Sequence, residues 1–356
     1  MTNLPDLGHE PDDIAAFLLR LSPEYGPTPL LDLPRLAAGL NVAQVLAKNE
    51  SRRALGSFKS LGGTFAGLRA LARASGVEPA ELIEPSERSR ALPTLLCASD
   101  GNHGLAVAAG ARYAGGQARI YLHAGVGAAR ARCIADQGAD IVWVDGTYDD
   151  AVAAAAAAAA DGEGLLVADT TDDPDDAAVA DVMAGYRVMG REIRRQVDEA
   201  GHGRPTHLFV QAGVGGLAAA MALELKDWMA PPAELMVVEP VEVACVGAAL
   251  AAGRIVRLPG DLHTAAEMLS CGEASLPALR VLQKAGARGV AVSEEQLHAA
   301  VALLAASGGP MTTASGATGL AGLAALRSEP RSAAATCGLD AASRVLLILT
   351  EGPLPA

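Results

Sequence analysis

Short apolar runs alternate with helix-patterned segments along nearly the whole of this chain, and that alternation restricts its fold more than any other feature. Strands are expected over 42–48, 94–98, 119–122, 141–144, 165–168, 208–210, 235–239 and 345–349. Helical patterns fall over 60–75, 104–114, 128–137, 149–160, 216–227, 294–306 and 315–327, after a capped amphipathic helix at 11–22 and an extended, proline-punctuated entry from Tyr25 to Leu30. Brief apolar strands separated by helices form parallel sheets covered on both faces, because parallel neighbours need a crossover that packs back onto the sheet. The alanine run at 153–160 follows Asp149 and Asp150, an acidic first turn, and reads as an ordinary covering helix. Residues 84–90 and 171–181 read as surface loops, the second leading into a helix. At 356 residues the chain outgrows a single core, so an open α/β architecture of two domains, or of one large domain with a subsidiary lobe, is expected.

The loops of that scaffold carry the chemistry. Leu55-Gly56-Ser57-Phe58-Lys59-Ser60-Leu61-Gly62-Gly63 puts a lysine just ahead of a helix, among small residues that leave room for a ligand. Lysine is scarce: Lys48, Lys59, Lys226 and Lys284 are the only four among 28 basic residues. In an apolar, glycine-rich segment a lysine sheds its charge and becomes a nucleophile, as arginine cannot, and Schiff-base chemistry with a carbonyl cofactor such as pyridoxal phosphate requires this. Taken alone, the Ser-Phe-Lys tripeptide reads instead as a surface lysine in a turn. Ser99-Asp100-Gly101-Asn102-His103-Gly104 joins a strand to a helix start, where backbone N–H groups and the dipole suit a substrate carboxylate. There Asn102 can donate to a phenolate oxygen and Asp100 adds a carboxylate, or either simply caps the helix. Gln211-Ala212-Gly213-Val214-Gly215-Gly216-Leu217 likewise leads from strand to helix; its spacing is not that of a dinucleotide fingerprint, and a monophosphate is the better guest. The last strand runs into Thr350-Glu351-Gly352, where a hydroxyl contacts a ring nitrogen without stabilising its protonated form, or merely starts a turn.

Charge and composition remove other classes. A net charge of −13, with no basic cluster interleaved with aromatics, argues against nucleic acid. The acidic N-terminus lacks a secretory signal and no apolar run reaches membrane-spanning length, so a soluble cytoplasmic protein without a membrane partner is expected. Cys97, Cys133, Cys245, Cys271 and Cys337 show no CxxC pair and no zinc spacing, and no metal site is expected. They read as small buried apolar residues, although Cys245 and Cys271 flank segments that look functional and leave a proximal pair open.

Lys59 in SFKxLGG, Asn102 in SDGNHG, Gly213 to Leu217 in QAGVGGL and Thr350 in TEG, in this order and spacing, resemble the fold type II pyridoxal-phosphate enzymes related to tryptophan synthase β and threonine dehydratase. Asp100 before GNHG, the VVEP run ending at Pro240, Thr264 through Met268 to Cys271-Gly272-Glu273, and the SGATGL run beginning at Ser315 are similar to the diaminopropionate ammonia-lyases, over roughly Thr28 to Gly352. The resemblance implies two open three-layer α/β/α domains with mostly parallel twisted sheets: a large cofactor-binding domain of 1–64 and 178–356, and a small, mobile, substrate-closing domain of 65–177. It implies that Lys59, beside Phe58, carries pyridoxal 5'-phosphate as a Schiff base and that Gly213, Val214, Gly215, Gly216 and Leu217 hold the phosphate. Asn102 would contact the ring oxygen and Thr350 the ring nitrogen. Ser99, Asp100, Gly101, His103 and Thr264 would bind substrate, and Asp100 and Asp169 fall where the family's acidic residues act near it.

The implied reaction is α,β-elimination of ammonia from 2,3-diaminopropionate or a close analogue, through aminoacrylate, to pyruvate and ammonia. Lys59 or Asp100 takes the α-proton according to the configuration bound, and Asp169 binds or protonates the departing β-amine or else caps a turn. Asp100 stands where threonine dehydratases carry a small or hydroxyl residue, which favours an amine-bearing or D-configured substrate. Departures from the family touch the pocket's cover: Thr171-Asp172-Asp173-Pro174-Asp175-Asp176 replaces an aromatic-containing stretch, and the chain stops four residues beyond Gly352, short of the usual tail. A serine or threonine dehydratase-like enzyme, a β-replacement synthase and a non-catalytic cofactor-binding protein therefore remain alternatives. Kinship implies a homodimer.

Overall fold

The structure, a computed structural model, describes residues 9–84, 91–99, 101–260, 262–328 and 337–353. From the N-terminus run α1 (Pro11–Leu21), β1 (Leu30–Asp32), α2 (Pro34–Leu40), β2 (Gln44–Asn49), α3 (Lys59–Ser75), α4 (Pro79–Leu82) and β3 (Leu95–Ala98). Next come α5 (Asn102–Tyr113), β4 (Ala118–His123), α6 (Ala128–Ala135), β5 (Asp140–Val144), α7 (Tyr148–Ala160), β6 (Leu165–Leu166) and α8 (Ala177–Glu199). The chain continues through β7 (His207–Gln211), α9 (Gly216–Leu225), β8 (Glu234–Pro240), α10 (Cys245–Ala252) and α11 (Leu276–Lys284). It closes with β9 (Arg288–Val292), α12 (Glu294–Ala306), α13 (Ala314–Ser328) and β10 (Arg344–Leu349). No helix among the described residues is long and apolar enough to cross a membrane.

Two compact units divide the chain: Pro27–Gly56 with Met189–Pro353, and residues 9–26 with Ser57–Val188. The first holds a six-stranded sheet in the order β1-β2-β10-β7-β8-β9, parallel except where β1 pairs with β2. Its inner strands β7 and β10 are apolar at their centres and almost wholly buried, as strands covered on both faces must be. The second unit holds a parallel sheet in the order β5-β4-β3-β6. Both sheets match the parallel-dominated α/β class expected from the alternation.

The unit boundaries fall at 56/57 and 188/189 rather than at 64/65 and 177/178, which groups Lys59 and the whole of α3 with the four-stranded sheet. Close helix packing is the reason. A Cβ added to Gly62 would lie 2.5 Å from the Val182 carbonyl of α8 and clash with the edge of the Tyr186 ring, and one added to Gly185 would lie 2.6 Å from Gly62 Cα. On another side of α3, a Cβ at Gly63 would meet Ala106 at 2.6 Å and one at Gly110 the Thr64 carbonyl at 3.0 Å. Thr64 Oγ1 donates to the Ala106 carbonyl at 3.0 Å, so the buried Tyr25 hydroxyl, 3.0 Å from Thr64 Oγ1, is the donor to it. That bond fastens the segment before residue 27 to the same unit. The glycines after Lys59, expected to leave room for a ligand, instead let two helices approach α3 backbone to backbone. Gly62→Ala is therefore expected to cost about 1–3 kcal/mol by overpacking, read as a lower midpoint in urea denaturation.

The segment expected to be a surface loop over 171–181 is helical from Ala177, because Asp176 Oδ1 accepts the N–H groups of Ala178 (2.8 Å) and Val179 (2.9 Å) as an N-cap. Asp181 is accordingly buried on α8, where Arg73 reaches it at 2.5 Å and Arg69 at 3.7 Å. Sequence patterning also passed over β1, α2, α10, α11 and the edge strand β9. In β9 the burial alternates, and Gly289 lets the Gly247 backbone of α10 come within 3.0 Å of where a side chain would stand.

Candidate active site

In the second unit, Lys59 is the first residue of α3, and its Nζ donates to Asp169 Oδ2, a contact that is also an ion pair. The two side chains are only 20% and 10% exposed, so this pair is weakly screened by water. Burial alone would raise the Asp169 carboxyl, yet the adjacent Lys59 charge, with His103 behind it, brings it from 3.8 down to about 2. The Phe58 ring lies 5.7 Å from Lys59 Nζ and packs against Tyr186 at 4.8 Å. Asp169 and Thr170 also border a cavity of about 20 Å³ with Tyr148, Val152, Ala155 and Leu166, room for a water and too small for an amino acid.

The loop from β3 to α5 belongs to the same unit. Ser99 Oγ accepts the N–H of Gly101 at 2.9 Å and of Gly104 at 2.8 Å, so Ser99 caps the start of this helix among the described residues, and two of the loop's donors are taken. Gly101 has φ +152°, a conformation that side chains resist, which explains a glycine at that turn. Asn102 opens α5, and Asp100 lies outside the described residues. His103 is 3% exposed and donates from Nε2 to the Val167 carbonyl at 2.9 Å. Burial lowers its pKa in spite of Asp169, which keeps the ring neutral.

The other expected residues lie in the first unit. Gly213 to Leu217 connect β7 to α9, with Gly215 at φ +97° and Gly216 as the first helical residue, so the unpaired N–H groups of a helix start are presented by a loop that side chains do not obstruct. Thr350 follows β10, and its hydroxyl accepts from Gln211 Nε2 at 3.0 Å. The same amide nitrogen lies 3.0 Å from the Ser315 carbonyl and 3.1 Å from those of Gly316 and Ile348. Gln211 thus ties together three segments singled out separately in sequence. Since Thr350 Oγ1 accepts there, its own proton is available to donate to an acceptor such as an unprotonated ring nitrogen. Thr264 is 1% exposed and spends its oxygen on the Ala266 N–H at 3.1 Å.

Sequence reasoning missed Gln211 as a positioning group, and it missed Glu239 and Tyr186. Glu239 is 1% exposed and accepts the Val246 and Gly247 N–H groups at 2.8 and 2.7 Å, which anchors the start of α10. Burial pushes this carboxyl up to about 8 against those two bonds. Cys245, the first residue of α10, donates from Sγ to the Gly213 carbonyl at 3.3 Å, and Cys271 Sγ lies 3.1 Å from where a Gly213 Cβ would stand. Neither thiol is in a disulfide and both bear on the glycine loop, so the pairing left open in sequence is absent from this structure.

A pyridoxal phosphate needs a primary amine, an anion cradle and a partner for its ring nitrogen. The chain offers a partly buried lysine, a helix start where a Cβ at Gly213 or Gly215 would meet neighbours at 3.1–3.3 Å, and a hydroxyl fixed by an amide. These residues fit the group.

Comparison with known proteins leads the same way. Diaminopropionate ammonia-lyase of Escherichia coli (strain K12) is 31% identical over 339 residues, covering 92% of this chain and 85% of the relative. Crystal structures of the Escherichia coli diaminopropionate ammonia lyase match with TM-scores of 0.88, in complex with D-serine, and 0.87, in complex with an aminoacrylate-PLP azomethine reaction intermediate. Each is 28% identical and covers 99% of this chain and 92% of that chain. The family model described as pyridoxal-phosphate dependent enzyme matches residues 21–351, a span that contains every residue placed above on chemical grounds, and the chain belongs to that family.

Proposed function

We propose that this enzyme eliminates ammonia from 2,3-diaminopropionate, or from a close β-substituted amino acid, to give aminoacrylate, which hydrolyses to pyruvate and ammonia. The observation that carries this reading is the ion pair of Lys59 with Asp169, an amine fit for a carbonyl cofactor beside a carboxylate that stays ionised down to about pH 2. A carboxylate held ionised by a neighbouring cation suits the β-ammonium of diaminopropionate, which replaces the Lys59 charge beside Asp169 and leaves already protonated. It gives no help to a serine hydroxyl, which needs a proton to depart. When bound, pyridoxal phosphate supplies the carbonyl that takes the substrate amine and the ring that delocalises charge from Cα.

The chain's own residues do the rest of the work in this reading. Lys59 gives up its proton before its nitrogen can attack a carbonyl, and later takes the α-proton of one configuration; Asp100 is the base for the other. Gly213 to Leu217 hold the phosphate, Phe58 and Asn102 line the ring, and Thr350 donates to a ring nitrogen that carries no proton. Ser99 and His103 act through the loop they hold, Gly101 through its backbone, and Thr264 by ordering its own turn. A cytoplasmic homodimer completes the proposal, and sedimentation at twice the chain mass checks the assembly.

The test is pyruvate release by the cofactor-loaded protein from D- and L-2,3-diaminopropionate, with D- and L-serine and threonine alongside. Diaminopropionate is expected to exceed serine by at least about tenfold in kcat/KM, the discrimination of one charge-assisted contact. Serine or threonine turning over faster would make the protein a dehydratase. Silence with every substrate, the cofactor being bound, would point to a replacement reaction or a binding protein.

A further inference from the structure

Tyr186 is 2% exposed, and its hydroxyl makes no well-formed hydrogen bond among the described residues, with the Lys59 amine near enough to offer one. It sits on α8 with its ring against Phe58 and over Gly62, and its oxygen feels the charges of both Lys59 and Asp169. Phenylalanine would fill the same space. It would also avoid burying a poorly bonded polar atom, a burden that native proteins rarely carry without a use for the group. We infer that Tyr186 is a positioning residue for Lys59, its hydroxyl donating a hydrogen bond to the amine nitrogen once that nitrogen has given up its proton and left Asp169. This rests on the role proposed for Lys59 above.

The division of labour follows from hydrogen-bond chemistry. The charged ammonium prefers the carboxylate, because a bond with charge on both partners is far stronger than one to a phenol oxygen. A neutral amine offers a lone pair, which Asp169, an acceptor only, cannot satisfy and an O–H can. Burial raises the phenol well above its ordinary value, so Tyr186 keeps its proton and no proton is transferred to or from it. The tyrosine thereby stabilises the neutral amine alone, lowers the pH at which Lys59 becomes nucleophilic, and fixes the direction of its lone pair. No signal in the sequence marks this, since Tyr186 lies inside a long helix and its direction is set by the close passage of α8 across Gly62.

The experiment compares the full chain, freed of cofactor, with its Tyr186→Phe variant. Lys59 is labelled by reductive methylation with formaldehyde and cyanoborohydride across pH 6–10, and the labelled peptide is quantified by mass spectrometry beside the rate at which added pyridoxal phosphate is taken up. In the variant, labelling and uptake near neutral pH are expected to fall about threefold to tenfold, the worth of one hydrogen bond, and the labelling midpoint to move to higher pH. The thermal midpoint should stay unchanged or rise, since the lost oxygen made no well-formed bond. An unmoved labelling midpoint, whatever the thermal midpoint does, would make Tyr186 a core residue and overturn the inference. If pyridoxal phosphate fails to modify Lys59 in the unaltered protein, the lysine assignment fails instead, and the two failures are told apart by that control.

Discussion

Lys59→Ala lowers turnover by at least about a thousandfold, the scale on which loss of an enzyme's nucleophile is felt, and removes the visible absorbance of lysine-bound pyridoxal phosphate. Its effect on Asp169 separates the nucleophile from its charge. Asp169 titrates near 2 in the folded protein against 3.8 for an ordinary aspartate, so the stabilisation from the pair is present above about pH 4 and lost as pH falls through 2. Without the lysine, burial pushes the carboxyl up, opposed only by His103 and a backbone hydrogen bond, and its carbon-13 resonance should titrate above the ordinary value. Lys59→Arg restores a cation that never becomes a nucleophile. It should return Asp169 to a low pKa while leaving turnover lost. Turnover and absorbance that survive in Lys59→Ala would end the assignment, and turnover rescued by arginine would reduce Lys59 to a counter-charge.

Lys59 stands out as a candidate in sequence because a rare residue type sits in a glycine-rich setting just ahead of a helix, where the chemistry of the side chain suggests a use. The placement of the glycine loop at 213–217 and of Thr350 was legible because each follows a largely apolar strand, and the ends of such strands are where open α/β sheets place ligands. Residues whose meaning depends on a distant partner were not. Asp169 pairs with a lysine 110 positions away, and only resemblance drew attention to it. Gly62 and Gly63 were misread because a glycine that admits a ligand and a glycine that admits a helix look alike in sequence, and only the crossing of α8 and α5 over α3 decides between them. Gln211 was passed over for being part of a glycine motif, although four groups from two distant parts of the chain converge on its amide. Asp181 was put in a loop because its acidic neighbourhood looks solvated, whereas the cap at Asp176 starts the helix before it and Arg73 neutralises it.

The least legible feature is also the one whose removal should do most damage to the fold. Arg53, wholly buried, grips two carboxylates with one guanidinium: Nε and Nη2 donate to Glu50 at 2.8 and 2.9 Å, and Nη1 and Nη2 to Glu192 at 2.9 and 2.7 Å. Lys48 Nζ lies 2.6 Å from Glu192 and donates to the Thr28 carbonyl at 2.7 Å, and Thr28 Oγ1 donates to Glu50 at 2.5 Å. Two bases therefore balance two acids inside one unit, and Arg53→Met leaves one negative charge buried without a partner. The expected loss is about 3–5 kcal/mol, a large part of a typical domain's stability. Glu50→Leu combined with Arg53→Met leaves Lys48 paired with Glu192 and should recover most of that loss, because a pair replaced whole by apolar groups is nearly neutral.

The dependence on pH carries the sign of the effect. Burial would raise the Glu50 carboxyl, but Arg53, with Lys48 and Thr28, outweighs it and holds the group below its ordinary 4.5, so in the unaltered protein this stabilisation is present above about pH 4.5 and is lost as pH falls through the lowered value. Without Arg53 burial is opposed only by Lys48 and Thr28, the folded pKa rises above the unfolded one, and stability is lost as pH rises through it. The gap between the two proteins in urea denaturation should thus be widest at neutral and alkaline pH and narrow towards pH 4. A gap that stays constant with pH would mean that Arg53 contributes packing rather than charge, and a double variant no better than the single one would show that the guanidinium stabilises the fold apart from its carboxylates.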